Sequence, residues 1–149
     1  MPQKIKISIK DLVLEAELSD TKTAKAIAAA LPIEARPDEW GDEFYFEIPV
    51  KMSLDETATT KVRIGDIGYW PPGNALAIFF GPTPMSKGPE PVPASEVNIV
   101  GKISGDAAYP ALAALMGQYA TGLGNFVWSP LSTTTAATAN LDWTNGYQI

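Results

Sequence analysis

Polar and apolar residues alternate strictly from Lys4 to Lys10, with Ile5, Ile7 and Ile9 in phase. A period of two puts those three on one face of a half-buried strand. A second alternation follows at once, with Leu12, Leu14, Ala16 and Leu18 on one face and Glu15 and Glu17 on the other. The Lys10-Asp11 junction leaves room only for a tight antiparallel turn. Then the period changes. Ala24, Ile27, Ala28 and Leu31 recur at i, i+3, i+4 and i+7, which predicts an Ala-rich helix with one apolar stripe, capped by Ser19 or Asp20. Pro32 ends it, because the residue before a proline avoids helical ψ. Phe44, Phe46 and Ile48 resume the two-residue period, with Glu43, Tyr45 and Glu47 on the opposite face.

Residues 51–60 are polar and Thr-rich and predict a loop, followed by a short strand at Lys61–Ile64. Gly65-Asp66-Ile67-Gly68 reads as a turn, with Asp66 bonding the backbone in an Asx-type arrangement. Tyr69-Trp70-Pro71-Pro72-Gly73 reads as a rigid turn in which Gly73 supplies positive φ, or as a cage for a proline ring. Ala75 to Phe80 is unbroken apolar sequence, as in a strand covered on both faces. Prolines at 82, 84, 89, 91 and 93 rule out regular structure and predict a long ordered loop. Strand pattern returns at Glu96–Ile103 and again at Asn125–Trp128. Between them Pro110 opens a second helical stripe of Leu112, Leu115, Met116 and Tyr119. These elements predict a mostly β fold, an antiparallel barrel with two helices at its ends. The Ser/Thr/Ala run at 132–140 marks a change, so residues 1–129 are expected to form the domain and 130–149 a partly flexible tail.

At 149 residues the chain is expected to hold one domain. Seventeen acidic and 11 basic residues leave a net charge of −6, which argues against nucleic acid or an anionic membrane as partner. The N-terminus has no apolar leader, and no stretch reaches the roughly 18 apolar residues of a membrane span. A cytoplasmic location is therefore expected. The chain has no Cys and no His, which excludes thiol nucleophiles, Ser-His-Asp catalysis and His- or thiolate-held metals. No phosphate-binding glycine loop or D-x-D-x-D-G spacing is present, so no cofactor and no metal is expected. Glu39, Asp42, Glu43, Glu47 and Asp66 lie near aromatic residues. A carboxylate pair could hydrolyse a glycoside, but solvated strand-face and turn charges explain these residues better.

The segment Gly65-Asp66-Ile67-Gly68-Tyr69-Trp70-Pro71-Pro72-Gly73-Asn74-Ala75-Leu76-Ala77-Ile78-Phe79-Phe80-Gly81-Pro82-Thr83-Pro84-Met85-Ser86 is long and unusual in composition. With Trp40-Gly41-Asp42-Glu43-Phe44-Tyr45-Phe46 and Pro93-Ala94-Ser95-Glu96-Val97-Asn98-Ile99-Val100-Gly101, it resembles the signature of small bacterial and archaeal cyclophilin-like proteins. The resemblance covers roughly residues 3–105. It implies a closed, eight-stranded cyclophilin-like barrel, in a family described as uncharacterised in function. The expected function is binding of an extended peptide or small ligand in an aromatic groove, with Trp40, Tyr45, Arg63, Tyr69, Trp70, Phe80 and Met85 as candidate ligand-binding residues. The alternative is a peptidyl-prolyl cis-trans isomerase. That chemistry needs a pocket for the proline ring and a donor to the prolyl nitrogen, and only Arg36 and Arg63 could supply a guanidinium. The Phe-His-Arg and Gln-Gly-Gly blocks of true cyclophilins are absent, so no catalytic residue is assigned.

Overall fold

The computed structural model describes residues 3–9, 12–104 and 126–131. Strands β1 (Gln3–Ile9) and β2 (Leu12–Leu18) pair antiparallel in the register the alternation requires, with Ile5 opposite Ala16 and Ile7 opposite Leu14. Helix α1 (Lys22–Ala30) starts one residue later than expected. Thr21 is its N-cap, its side-chain oxygen accepting from the Ala24 N–H at 3.2 Å. Leu31, the residue before Pro32, is already extended and closes the helix. Ala24 and Ile27 are buried from this helix.

The strands β3 (Ile33–Ala35), β4 (Asp38–Glu39), β5 (Glu43–Glu47), β6 (Asp66–Trp70), β7 (Ala75–Phe79), β8 (Asn98–Ile103) and β9 (Phe126–Pro130) complete one antiparallel sheet. Its order is β3-β9-β1-β2-β8-β6-β7-β5-β4. This corrects the expectation of a closed, eight-stranded barrel: among the described residues the sheet has nine strands and forms an open half-barrel. Its two edge strands, β3 and β4, follow one another in the chain but do not pair. They are only three and two residues long, and Pro37 between them has no N–H to give to a ladder. The Arg36-Pro37 link still holds the two edges within about 11 Å of each other, the reach of three extended residues. Among the described residues α1 is the one α-helix. The second expected helix, at 110–119, and the tail beyond 131 lie outside the described residues.

The concave interior holds the main core. Phe44 and Phe46 on β5 meet Phe126 and Trp128 on β9 edge to face, with ring centroids 5.1–6.2 Å apart. These strands stand near opposite ends of the ladder, so the contacts span the interior and hold the curl. Ile67, Tyr69, Leu76 and Ile78 fill the space between them and are buried.

Two local expectations are corrected. Lys61–Ile64 is not a strand, and Gly65–Gly68 is not a turn. The turn lies at Arg63–Asp66, where the Asp66 carboxylate accepts from the Arg63 N–H at 2.8 Å, and β6 begins at Asp66 itself. Gly68 sits within the strand at a β-bulge, where its missing side chain leaves room for Val97 above it.

Candidate functional site

The site follows from strand parity. On β5, β6 and β7 the residues facing the core are Phe44 and Phe46, Ile67 and Tyr69, and Leu76 and Ile78. The alternate positions face the other way: Glu43 and Tyr45, Gly68 and Trp70, and Ala75, Ala77 and Phe79. In an antiparallel sheet that outer face is usually wet. Here it is not. Phe79, Ala77, Val97 and Val62 form a second, smaller buried cluster, with Tyr45, Trp70 and Ile99 packed against it.

Register makes the hollow. Tyr45 lies opposite Ala77, which lies opposite Gly68. Ala75 lies opposite Trp70, and Glu43 opposite Phe79. Ala77 and Ala75 on the middle strand leave a floor between larger walls, with Phe79 at one end. The 93–97 segment roofs it with Pro93, Ala94 and Val97, and Trp40 adds a wall from the β4–β5 hairpin. The pocket opens to solvent on one side and has a volume of about 150 Å³.

Each wall is fixed locally. Trp40 and Glu43 close the hairpin, with the Trp40 N–H donating to the Glu43 carbonyl at 2.9 Å. Gly41 turns the chain at φ +61°. A Cβ there would meet the Thr83 backbone at 2.7 Å, so the hairpin tip lies directly on the proline-rich loop. Asp42 ties the two together, its N–H donating to the Pro82 carbonyl at 2.9 Å. The Trp70 indole N–H donates to Ser95 Oγ at 2.7 Å, which anchors the roof to β6. Gly73 lies under the Trp70 ring, where a Cβ would come within 2.9 Å of it. Positive φ in this turn belongs to Asn74, at 49°, and not to Gly73 as expected. The loop at 81–95 is ordered by Thr83, whose hydroxyl donates to the Val92 carbonyl, and by Ser86, whose hydroxyl donates to the Glu90 carbonyl at 2.6 Å.

One polar group stands among these apolar walls. Glu43 is only 8% exposed, and its Oε1 has no hydrogen-bond partner among the described residues. Burial alone pushes its carboxyl from the ordinary 4.5 up to about 8. At neutral pH it is therefore mostly a neutral acid, able to donate one hydrogen bond and accept others. The sequence reading had Glu43 as a solvated strand-face charge. The roof at 93–97 overturns that, because it covers the face that strand parity alone leaves open.

Of the candidate residues, Trp40, Tyr45 and Trp70 come together around this pocket. Tyr69 and Phe80 do not. Tyr69 is fully buried in the main core, its hydroxyl donating to the Val50 carbonyl at 2.7 Å and accepting from the Met52 N–H at 3.0 Å. Phe80 packs on Phe44 at 5.1 Å, and its neighbour Phe79 faces the pocket instead. Met85 is 53% exposed on the loop, away from the lining, and Arg63 is exposed at the turn before β6. No arginine lines the pocket among the described residues. Of the lining residues missed in the sequence, Glu43, Ala75, Ala77, Phe79 and Val97, two carry a signal: Ala75 and Ala77 are small residues in phase with Trp70 and Tyr45 on the adjoining strands.

No set of three or more metal-ligating side chains gathers among the described residues, and no helix there is long and apolar enough to cross a membrane.

The Cyclophilin-like family model matches residues 3–115. The chain belongs to the Cyclophilin-like family. The solution structure of the hypothetical protein AF2241 from Archaeoglobus fulgidus is 32% identical, with a TM-score of 0.67. That match covers 87% of this cyclophilin-like chain and 95% of the archaeal one. The structure of McbB in complex with tryptophan is 15% identical with a TM-score of 0.63, a likeness of fold alone. It covers 92% of this chain and 47% of McbB, so the chain spans about half of that protein's length. No curated protein matches.

Proposed function

We propose that this cyclophilin-like chain binds a small organic molecule, or one ring of a larger one, in the pocket between β5, β7 and the 93–97 roof. The observation that carries this is the unpartnered Glu43 oxygen inside an otherwise apolar, aromatic hollow. A buried polar atom without a hydrogen bond destabilises a fold by about 1–3 kcal/mol. Nothing in the packing of β5 requires a carboxyl there. A ligand that hydrogen-bonds or pairs with Glu43 removes the deficit and explains the residue.

Size selects among ligands. The pocket has a volume of about 150 Å³, and an apolar cavity of about that volume holds one benzene. One ring or a compact alkyl group fits, whereas an extended peptide can insert no more than a single side chain. The small-ligand half of the sequence expectation is therefore favoured over the peptide half. The isomerase alternative needs a guanidinium beside the proline ring, and the described lining offers none. McbB, which shares the fold, was solved with tryptophan bound, and a ring compound of that kind agrees with an aromatic lining.

The test is titration of the full chain with single-ring compounds, neutral, cationic and anionic, followed by amide and indole NMR signals. Shifts are expected at Tyr45, Ala77, Phe79 and Val97 and at the indole N–H of Trp40 and Trp70. Trp70→Ala should weaken binding at least tenfold while the chain stays folded. If every such compound leaves these signals unmoved at millimolar concentration, the reading fails.

A further inference from the structure

We propose that the ligand of this pocket is an organic cation, an alkylated ammonium, which displaces the proton of Glu43 as it binds. The inference rests on the pocket being a ligand site and adds the charge of what it takes.

Four aromatic side chains from four separate places reach the hollow: Trp40 from the hairpin tip, Tyr45 from β5, Trp70 from the end of β6 and Phe79 from β7. Aromatic rings attract cations through the negative charge of their faces, most strongly where water is excluded. The one carboxyl in the lining stands with them, buried and without a hydrogen-bond partner among the described residues. No Lys or Arg lines the pocket among those residues, so an anionic ligand would meet a carboxyl and aromatic walls with nothing to pair it. A neutral ligand would use the aromatic walls and could meet the carboxyl by a hydrogen bond. It would leave the cation-attracting character of walls and acid together unused. An alkylated ammonium uses both, and its compact form suits a cavity of about 150 Å³.

The surroundings of Glu43 make the step proton-linked. On its own hairpin the nearby titratable groups are Glu39, Asp42 and the Tyr45 phenol. Across from it β7 contributes only Ala75, Ala77 and Phe79, and the roof contributes Pro93, Ala94 and Val97, with Glu96 exposed outside. No cation among them holds Glu43 ionised, and burial keeps its proton on up to a pH of about 8. A bound ammonium supplies the missing positive charge. The O–H bond of the acid then breaks, the proton passes to solvent, and carboxylate and cation remain as an ion pair. At pH 7 that exchange weakens apparent affinity by about tenfold relative to pH values above 8, one tenfold step for each unit below the pKa.

The experiment is calorimetric titration of the full chain with choline and with 3,3-dimethylbutan-1-ol, its uncharged carbon analogue. Choline is expected to bind at least tenfold tighter than the alcohol at pH 8.5. Its affinity should fall about tenfold for each pH unit below 8. Titration at pH 7 in phosphate and in Tris should differ in heat by the release of close to one proton. Glu43→Gln should remove the preference for choline and its pH dependence, with a thermal melt to show that the variant is folded. Equal binding of the two compounds, or choline affinity that is flat from pH 6 to pH 9 in the unaltered chain, overturns the inference. In that event binding of neutral ring compounds at Tyr45 and Trp70 would leave the pocket itself standing as a ligand site. Failure of choline and of every ring compound alike would overturn both.

Discussion

Glu43 lies opposite Phe79 in the β5–β7 ladder, beneath the roof at 93–97, and is buried there. Its carboxyl ionises at an ordinary 4.5 in the unfolded chain and at about 8 in the folded one. Between those values the folded state holds a proton that the unfolded state has lost. The contribution of Glu43 to stability is therefore fully present below 4.5 and is lost as pH rises through 8. Glu43→Gln removes the ionisation and keeps the shape. The variant should gain roughly 2–4 kcal/mol on the unaltered chain between about pH 4 and pH 9, read from denaturant unfolding at the two pH values. A difference independent of pH would mean that Glu43 is solvated. At this scale the sequence was half legible. Trp40, Tyr45 and Trp70 stand out because large aromatics beside turns rarely lie idle. Glu43 does not stand out, because a glutamate in phase with exposed positions looks the same whether water or a proline-rich loop covers it.

β1, β2, β5 and α1 were legible as elements because each has a period, and the period reports which side chains share a face, whereas β3 and β4 at three and two residues are too short to show one. The turns were less so. Gly65–Gly68 looks like a turn by composition, yet Gly68 is a strand residue whose bare backbone admits Val97. The loop at 51–60 has no period at all, and its order comes from a polar network. Asn98 is fully buried, donating to Thr23 Oγ1 at 3.1 Å and to the Ser53 carbonyl at 3.0 Å and accepting from the Asp55 N–H at 2.8 Å. Asp55 accepts from the Thr23 hydroxyl at 2.7 Å and from the Thr57 N–H at 2.8 Å. The loop is thereby tied to α1 through Thr23 and to β8 through Asn98. Partial burial pulls the Asp55 carboxyl up, but the hydrogen bonds from Thr57 and Thr23 outweigh it and hold it below the ordinary 3.8. The stability this lends is complete above 3.8 and is lost as pH falls through the lower folded value. Asp55→Asn should destabilise the protein by roughly 1–3 kcal/mol at neutral pH. Thermal melts should show the gap closing as pH falls below 3.8.

At the scale of the molecule, every described strand ends by Pro130, and the Leu131 N–H donates to the Lys4 carbonyl at 3.0 Å as the last rung beside β1. We propose that residues beyond 131 are dispensable for the half-barrel. A chain ending at Leu131 should unfold cooperatively, with a midpoint within about 5 °C of the full chain, a shift of roughly 1 kcal/mol. Loss of the cooperative transition would place the tail in the core. Mostly β, antiparallel architecture and the family were both readable from the residues, because alternation is local and the 65–86 segment is distinctive. Closure was not. Whether two edge strands pair depends on a curl set by Phe44, Phe46, Phe126 and Trp128 meeting across the interior, about 80 residues apart in the chain.

The faces of the longer strands and of α1 came from the amino-acid sequence by itself, since side-chain parity along a strand and the stripe along a helix are properties of neighbouring residues. The sequence also excluded thiol and imidazole chemistry outright, by holding no Cys and no His. What only the tertiary structure decided is which outer face is covered. Val97 closing over Gly68, and Trp70 bonded to Ser95, bring a loop from 20 to 30 residues away over the small floor of Ala75 and Ala77. That cover leaves a glutamate that reads as a surface charge as a buried acid in a pocket lined by four aromatic residues. Desolvation is a property of everything within a few ångströms of a group in space, and no window of sequence contains it.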